Sequence, residues 1–244
     1  MINVIIPARS GSKRVKNKNI RLVGEHPLIA YSIEACRQSK NVDRIFVSTD
    51  CKEIARIAIN YGAEVPWLRP KELSSDNSSD VGFLNHFFEN VGCDVVALIR
   101  PTSPLRDPKF IDETIDEFFS LDDKSITGLR TMSISGHSPY KLFKIENNLC
   151  TGFFNDFNGV AEYSNLPGQI FPKTYLPNGY IDIVKKSTLP SGSAFGNKIY
   201  PKISRQIIDI DTEFDFDLVM LKIKSKYDKI TRHLKNSAKG NINE

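Results

Sequence analysis

The sequence predicts an α/β fold with a mostly parallel central sheet flanked by helices. Short β-branched runs alternate with helical patterns through the first 130 residues, and polar loops follow the ends of the runs. Each helical pattern is about 10 to 15 residues long, which is the length that a crossover between parallel strands requires. The alternation therefore favours a parallel sheet over a series of hairpins.

The predicted elements follow one another without a long linker. The three predicted strands of the first part are "NVIIPA", "RIFVSTD" and the start of "DVVALIRPTSPLR". The four predicted helices are "PLIAYSIEACRQS", "KEIARIAINYG", "VGFLNHFFENV" and "PKFIDETIDEFFSL". Gly62 suits the C-terminal end of the second helix and Pro108 suits the first turn of the fourth, so the residues themselves mark these limits.

The pattern changes between residues 131 and 179, where short aromatic runs are separated by Asn, Gly and Pro. Helical periodicity is absent there, so hairpins or an extended arm are predicted. After it, "GYIDIVKKSTL" predicts a strand, and "QIIDIDTEFDFDLVMLKIKSK" predicts a strand that leads into the last helix. The predicted organisation is one core at residues 1–130 and 180–236, an arm at residues 131–179, and a polar tail at residues 237–244.

Composition limits the class of protein. The chain has 244 residues, of which 40% are hydrophobic, so a sizeable core can form. The formal net charge of +4 is too small to indicate nucleic-acid binding, and the basic loop described next lacks interleaved aromatic residues. No apolar run approaches the ~20 residues of a membrane span, and four scattered cysteines without a CxxC pair favour reduced thiols. These features predict a soluble cytoplasmic protein with no nucleic-acid or membrane partner.

Positive charge is concentrated just after the first predicted strand. The stretch "IPARSGSKRVKNKNI" carries five cations, Arg9, Lys13, Arg14, Lys16 and Lys18. Gly11 lies between two serines, Ser10 and Ser12, and small residues let backbone N–H groups approach a ligand. Such a loop suits a phosphate cradle, although neither GxxxxGK[ST] nor GxGxxG is present. A solvated basic loop is the alternative that spacing alone leaves open.

Acidic residues alternate late in the chain, in "IDIDTEFDFD". Asp209 and Asp211 are predicted at a strand end, where both side chains point to the same side of the pleat. Two adjacent carboxylates repel each other unless a cation lies between them, so a divalent metal, Mg²⁺ or Mn²⁺, is predicted there. Asp215 and Asp217 are instead interpreted as charges favoured by the N-terminus of the last helix.

Two further loops follow predicted strands. In "RPTSPLR" two prolines fix the loop, Arg100 and Arg106 can each offer a fork to carboxylate or phosphate, and Thr102 and Ser103 supply hydroxyls. In "VSTD" the strand ends in polar residues, and Asp50 is expected to cap the following helix. Alone, each loop is also compatible with an ordinary surface feature.

Taken together and in order, six segments resemble the acylneuraminate cytidylyltransferases: "IPARSGSKRVKNKN", "STD", "LRPKELSSDNSSD", "RPTSPLR", "PNG" and "DIDTEFD". The resemblance extends from about residue 3 to residue 220. It implies a Rossmann-like nucleotidyltransferase fold and the transfer of CMP from CTP to the anomeric hydroxyl of a nonulosonic, sialic-acid-like 2-keto sugar acid. It also implies Mg²⁺, release of pyrophosphate, and a homodimer formed through the arm.

The resemblance also implies roles for particular residues. Those implied for catalysis are Arg9, Lys13, Asp209 and Asp211, the last two as metal ligands. Those implied for CTP are Arg9, Ser10, Gly11, Lys13, Lys18, Asn19, Arg69, Ser79 and Asp80. For the sugar acid the resemblance implies Lys141, and the other residues predicted to contact it are Arg100, Thr102, Ser103 and Asn178.

The chain departs from the family pattern mainly on the sugar side. Arg100 stands where Gln is usual before "PTSPLR", and Leu176 stands where an Arg often precedes "PNG". A second family Arg is replaced by Gly168 or Gln169, and the usual "NGAIY" reads "NGYID". We therefore hypothesise that Arg100 takes over part of the binding of the sugar carboxylate.

Two alternatives remain at this point. One is a nucleotidyltransferase that activates a shorter 2-keto sugar acid or a sugar 1-phosphate. The other is a catalytically silent nucleotide-binding relative, which would not need Asp209 and Asp211 side by side.

Overall fold

A computed structural model describes residues 1–225, 230 and 233–234. Within them the strands are β1 (Ile2–Pro7), β2 (Leu22–Val23), β3 (His26–Pro27), β4 (Val42–Ser48), β5 (Val95–Leu98), β6 (Gly128–Ile134), β7 (Phe143–Glu146), β8 (Leu149–Gly152), β9 (Tyr175–Pro177), β10 (Asp182–Lys185) and β11 (Ile199–Ile203). The helices are α1 (Leu28–Arg37), α2 (Lys52–Asn60), α3 (Asp80–Asn90), α4 (Pro108–Ser120) and α5 (Glu213–Ser225).

The predicted α/β fold class is confirmed. The central sheet has the order β11-β6-β10-β5-β1-β4, with β9 paired to β6. β1 is parallel to both β4 and β5, and β6 is parallel to β11. β10 runs antiparallel to both of its neighbours. Helices cover both faces, as crossover connections between parallel strands require.

The strands alternate between two apolar clusters, one on each face of the sheet. In β1, Val4 and Ile6 belong to the cluster that also contains the buried residues of α1, α2, α4 and α5. Ile5 belongs to the second cluster, which contains Phe83, Phe87 and other buried residues of α3. Because successive strand side chains point to opposite faces, a near-continuous apolar run such as "NVIIPA" supplies both cores at once.

The carboxyl ends of β1, β4 and β5 lie along one edge of the sheet, where ligands of such folds gather. β10 is antiparallel, so its first residue, Asp182, begins at that same edge and pairs with Leu98 at the end of β5. The loops at this edge therefore come from the early, the middle and the late parts of the chain.

The prediction that Asp209 and Asp211 end a strand is wrong. The strand is β11, which pairs with β6, and residues 204–211 follow it without regular structure. The segment instead crosses to the loop that follows β5, where the N–H of Ile210 donates to the carbonyl of Thr102 at 2.9 Å. The last helix is confirmed as α5, where the Asp215 carboxylate accepts hydrogen bonds from the Thr212 N–H and hydroxyl.

Residues 135–174 contain the β7–β8 hairpin and a small aromatic core of their own. Tyr140 contacts the rings of Phe154, Phe157, Tyr163 and Phe171. Both ends of the predicted arm belong to the central sheet, because β6 continues past residue 131 and pairs with β9. The predicted tail at residues 237–244 lies outside the described residues. In the described part of the chain, no helix has the length and apolar character needed to cross a bilayer.

Candidate active site at the carboxyl edge of the sheet

The basic loop after β1 is fastened to the loop after β4. The carboxylate of Asp50 accepts hydrogen bonds from the backbone N–H and the hydroxyl of Ser10, at 2.7 and 2.6 Å. The expected capping role of Asp50 is wrong, because Cys51 is the N-cap residue of α2. Partial burial alone would raise the pKa of Asp50, but the hydrogen bonds from Ser10 outweigh it and lower that pKa. Gly11 follows with a φ of +71°, which glycine adopts without strain.

The loop forms one wall of a cleft of about 230 Å³. The predicted residues that line it are Arg9, Lys13, Lys18, Asn19, Arg100, Thr102 and Asp211. The structure thus brings cations from the start of the chain and an acid from its end to the same cavity. Asn19 is buried and donates to the carbonyl of Arg9 at 3.0 Å, which fixes the course of the loop.

Lys18 joins the two ends of the chain directly. Its Nζ donates to the carbonyl of Ile210 at 2.7 Å and lies 3.5 Å from Oδ1 of Asp211. Arg14 lies 3.4 Å from the other oxygen of Asp211. Because the side chain of Lys18 is only 15% exposed, its charge is held in place rather than solvated. The alternative of a solvated basic loop therefore does not describe Lys18.

Asp76 is a residue of this site that sequence reasoning missed. Its two oxygens pair with Arg9 Nη1 at 2.6 Å and with Lys13 Nζ at 2.5 Å. Hydrogen bonds from Lys13 and Arg9 lower the pKa of Asp76. The segment "SDNSSD" gives no signal for this contact, because the pairing joins residues more than 60 positions apart in a polar loop.

A second pocket of about 140 Å³ adjoins the cleft and shares Pro7, Arg9 and Arg100 with it. Arg69 and Asp80 line it, whereas Ser79 is exposed at the N-cap of α3. Arg69 is buried, and its Nε donates to the hydroxyl of Ser48 at 2.9 Å. Burial lowers the pKa of Arg69 to about 10, against the opposing field of Asp50.

Arg100 lies between the two cavities and is already paired. Its guanidinium donates to the carboxylate of Asp80. Burial opposes its charge, but the carboxylates of Asp80, Asp182 and Asp209 raise the pKa of Arg100 overall. The aliphatic part of the Arg100 side chain passes over Gly179. A β-carbon on residue 179 would lie only 2.8 Å from Cδ of Arg100, which is too close for a residue other than glycine. Gly179 has a φ of +59°, so both the close approach and the backbone favour glycine.

The prediction that Arg106 offers a fork to a ligand is wrong. Arg106 is 1% exposed and donates to the carbonyls of Tyr180, Arg100 and Gly179 and to the hydroxyl of Ser32. It therefore ties the "RPTSPLR" loop to the "PNG" turn. In the same loop, the hydroxyl of Ser103 is buried and has no hydrogen-bond partner among the described residues.

Two residues predicted for the sugar acid are engaged within the fold. Asn178 donates to the hydroxyl of Ser204 at 2.7 Å and accepts from the N–H of Tyr180. Lys141 lies in the arm, where its Nζ donates to the carbonyls of Ser164 and Leu166. Neither residue lines the cleft or the adjoining pocket.

The two predicted metal ligands line different cavities: Asp211 lines the cleft, whereas Asp209 lines a cavity against α5 with Ile207 and Leu218. What suits a divalent cation is the unpartnered buried oxygen of Asp209 and the charge of Asp211 two residues on. Oδ1 of Asp209 is buried and has no hydrogen-bond partner in the described part of the chain, whereas Asp211 is half-exposed and lines the cleft. A buried carboxylate oxygen without a partner is costly unless a cation or water completes it. In the described residues no group of three or more His, Cys, Asp or Glu side chains is arranged around a metal position. The remaining ligands would be water or substrate oxygens, which Mg²⁺ ordinarily retains.

A mixed α/β sheet with a cationic first loop, and with Asp211 in the same cleft, suits the binding of a phosphate-bearing ligand. Comparison with known proteins specifies the class further. A family model described as cytidylyltransferase matches residues 3–149. The chain belongs to this cytidylyltransferase family.

Curated relatives extend the similarity beyond the region that the family model matches. The chain is 34% identical over 226 residues to the CMP-N,N'-diacetyllegionaminic acid synthase of Legionella pneumophila. This match covers 89% of this chain and 94% of that protein. The chain is 33% identical over 247 residues to an N-acylneuraminate cytidylyltransferase of Escherichia coli, covering 100% of this chain and 57% of that protein. The resemblance to acylneuraminate cytidylyltransferases is therefore confirmed.

A solved structure supports the fold. A CMP:2-keto-3-deoxy-manno-octonic acid synthetase complexed with CTP superimposes with a TM-score of 0.68, at 15% identity, over 92% of this chain and 99% of that one. At this identity the likeness concerns the fold alone.

Proposed function

We propose that this protein transfers CMP from CTP to the anomeric hydroxyl of a nonulosonic, sialic-acid-like 2-keto sugar acid and releases pyrophosphate. The observation that carries the proposal is the shared cleft, in which Arg9, Lys13 and Lys18 face Asp211. A nucleoside triphosphate carries about four negative charges, and a cationic cleft with a carboxylate beside its cations suits its metal complex. The names of the two curated relatives point to the same reaction.

The triphosphate would lie along the basic loop. Arg9 and Lys13 are neutralised by Asp76 here, so the triphosphate would take the place of that carboxylate. Lys18 remains fixed by the carbonyl of Ile210 and would keep its charge near the phosphates. Arg69, Ser79 and Asp80, with the adjoining pocket, would hold the cytidine, and Ser10, Gly11 and Asn19 would shape the loop around the phosphates.

The reaction forms a bond between the anomeric oxygen and the α-phosphorus, and it breaks the bond from that phosphorus to the leaving pyrophosphate. Arg9 and Lys13 would stabilise the charge that develops on the pyrophosphate. A divalent cation, Mg²⁺ or Mn²⁺, held by Asp209 and Asp211 would neutralise charge on the phosphate oxygens. A carboxylate of this pair would also be able to accept the proton of the anomeric hydroxyl. Most of the catalysis comes from positioning and charge neutralisation.

The sugar acid would enter beside Arg100, Thr102 and Ser103. Asn178 would act by holding the "PNG" turn. Lys141 lies in the arm, so a contact with the sugar would require the arm of a second copy. A homodimer through the arm is supported by its exposed apolar side chains, which are Phe143, Ile145, Leu149, Phe153 and Ile170. The cytoplasmic location indicated by the cysteines remains a prediction.

A pyrophosphate-release assay tests the proposed reaction. With Mg²⁺ present, we expect release with CTP and a nonulosonic acid, and much less with UTP, GTP or ATP. Neuraminic, legionaminic and pseudaminic derivatives form the first panel, because they share the anomeric hydroxyl and carboxylate but differ in acyl groups and stereochemistry. A shorter 2-keto sugar acid and a sugar 1-phosphate form the second panel.

The outcomes separate the proposal from both alternatives. Release only with the second panel would replace the nonulosonic acid by the other substrate class. CTP binding without release for any acceptor would identify a catalytically silent nucleotide-binding protein.

A further inference from the structure

Asp182 is a fully buried carboxylate that the proposed reaction does not use. Its Oδ1 accepts a hydrogen bond from the N–H of Thr131 at 3.1 Å, while Oδ2 is buried without a hydrogen-bond partner among the described residues. Burial raises the pKa of Asp182 to about 6, and the fields of Arg130 and Arg100 limit the rise. A buried carboxylate with one unpaired oxygen is costly, so it calls for a neighbouring cation.

That cation is Arg130, on the strand next to it. The pairs Ile183–Leu129 and Val184–Gly128 define the antiparallel register of β10 and β6, and the next pair in this register is Asp182 with Arg130. Nε of Arg130 lies 3.8 Å from Oδ2 of Asp182, too far for a hydrogen bond. The ring of Phe195 lies 4.5 Å from its guanidinium carbon. The carboxylate and the ring thus hold the guanidinium by charge and stacking alone.

The guanidinium of Arg130 still has its donors free. It makes no hydrogen bond to any described residue, and its Nε is buried without a partner. The side chain is 27% exposed, so part of it remains accessible from solvent. A planar group with five donors and no hydrogen-bond partner among the described residues suits a bidentate contact with a carboxylate.

Arg130 and Arg100 lie on the same face of the sheet as Asp182. Leu98 and Val184 pack in the cluster against α3, and Arg100 and Asp182 are each two residues from one of them. Leu129 packs in the opposite cluster, so its neighbour Arg130 faces α3. The guanidinium of Arg100 already donates to Asp80, whereas that of Arg130 makes no hydrogen bond to any described residue.

We propose that Arg130 binds the carboxylate of the sugar acid, and that Asp182 is the positioning residue that holds its guanidinium. The proposal rests on the proposed function for the identity of the substrate, and it assigns to Arg130 the role first hypothesised for Arg100. It also accounts for two features of the sequence together. The chain has Leu176 where an Arg often precedes "PNG", and it has Asp182 in the last position of "NGYID", where it can serve a new arginine.

The test compares the KM for the sugar acid and the Kd for CTP between Arg130→Gln and wild type. For Arg130→Gln we expect the KM for the sugar acid to rise about ten- to a hundredfold, the loss of one charge-assisted bidentate contact. The Kd for CTP, measured by calorimetry without sugar acid, should stay within about twofold, which also shows that the variant is folded. Arg44→Gln, which removes an exposed arginine paired with Glu64, is the control for loss of charge and should leave both constants unchanged.

The role of Asp182 is tested by a double-mutant cycle. Asp182→Asn should raise the KM for the sugar acid several-fold in wild type and by less than about twofold in the Arg130→Gln background. Equal effects in both backgrounds would show that Asp182 is merely structural and would overturn its positioning role.

The two proposals fail in different ways. If wild type releases pyrophosphate but Arg130→Gln keeps the wild-type KM for the sugar acid, the assignment of Arg130 is wrong. A parallel rise in the Kd for CTP would also overturn it. If wild type releases no pyrophosphate with any sugar acid, the proposed function itself fails.

Discussion

Replacement of Asp209 by asparagine should lower the kcat for pyrophosphate release about 10²- to 10³-fold. The substitution keeps the size of the side chain but removes the negative charge from an oxygen that is buried without a partner. If that oxygen binds a divalent cation, its loss removes several kcal/mol of charge stabilisation in the transition state. The measurement is steady-state release of pyrophosphate from CTP at saturating Mg²⁺ and sugar acid.

Asp217 provides the matched control for Asp209. It belongs to the same acidic stretch but is exposed on α5, so Asp217→Asn should keep kcat within about twofold of wild type. Full turnover by Asp209→Asn in Mg²⁺ would contradict the metal assignment. An equal loss in both variants would indicate a general effect of charge near the cleft.

Replacement of Arg106 by methionine should lower the free energy of unfolding by about 4 kcal/mol. Arg106 is buried and donates to three carbonyls and one hydroxyl, and hydrogen bonds from a charged donor are worth roughly 1.5–3 kcal/mol each. Methionine fills much of the volume but leaves these acceptors buried without a donor. Burial lowers the pKa of Arg106, so part of the gain is offset by the cost of burying the charge.

Urea denaturation, extrapolated to water, measures this effect. Arg44→Met is the control, because Arg44 is exposed and its pair with Glu64 lies at the surface, so its change should be much smaller. An Arg106→Met variant as stable as Arg44→Met would mean that the "RPTSPLR" loop and the "PNG" turn are held by other contacts.

Most of the sheet and its helices could be predicted because their signals are local. The strand "NVIIPA" and the helix that ends near Gly62 both follow from patterns within about ten residues. β11 was missed because Pro201 lies in its middle and argues against a strand. The structure tolerates it because β11 is the edge of the sheet, where a missing N–H costs little.

The site was predicted less completely, because its contacts join distant parts of the chain. Cations in a glycine-containing loop and paired acids are recognisable from sequence, and Lys18 and Asp211 do meet. Whether an arginine faces a ligand or the interior depends on tertiary packing. Arg100 and Arg106 therefore cannot be distinguished from the sequence "RPTSPLR" alone. In the structure Arg100 lines both cavities, whereas Arg106 is buried.

Asp50, Asp76 and Asp182 show the same limit for acids. Each is an isolated carboxylate in sequence, and each finds its partner only after folding, in Ser10, in Arg9 and Lys13, and in Arg130. A pattern of spacing cannot reveal such pairs, since the residues between them vary in number and carry no periodicity.

The dissociation constant of CTP, measured with and without Mg²⁺ at constant ionic strength in wild type and Asp211→Asn, tests most directly whether both ends of the chain hold one nucleotide. We predict that Mg²⁺ tightens CTP binding to wild type about tenfold and has little effect on Asp211→Asn, because the acid and the basic loop share the cleft. An identical Mg²⁺ effect in both proteins would mean that the late carboxylates and the early cations do not act on the same ligand.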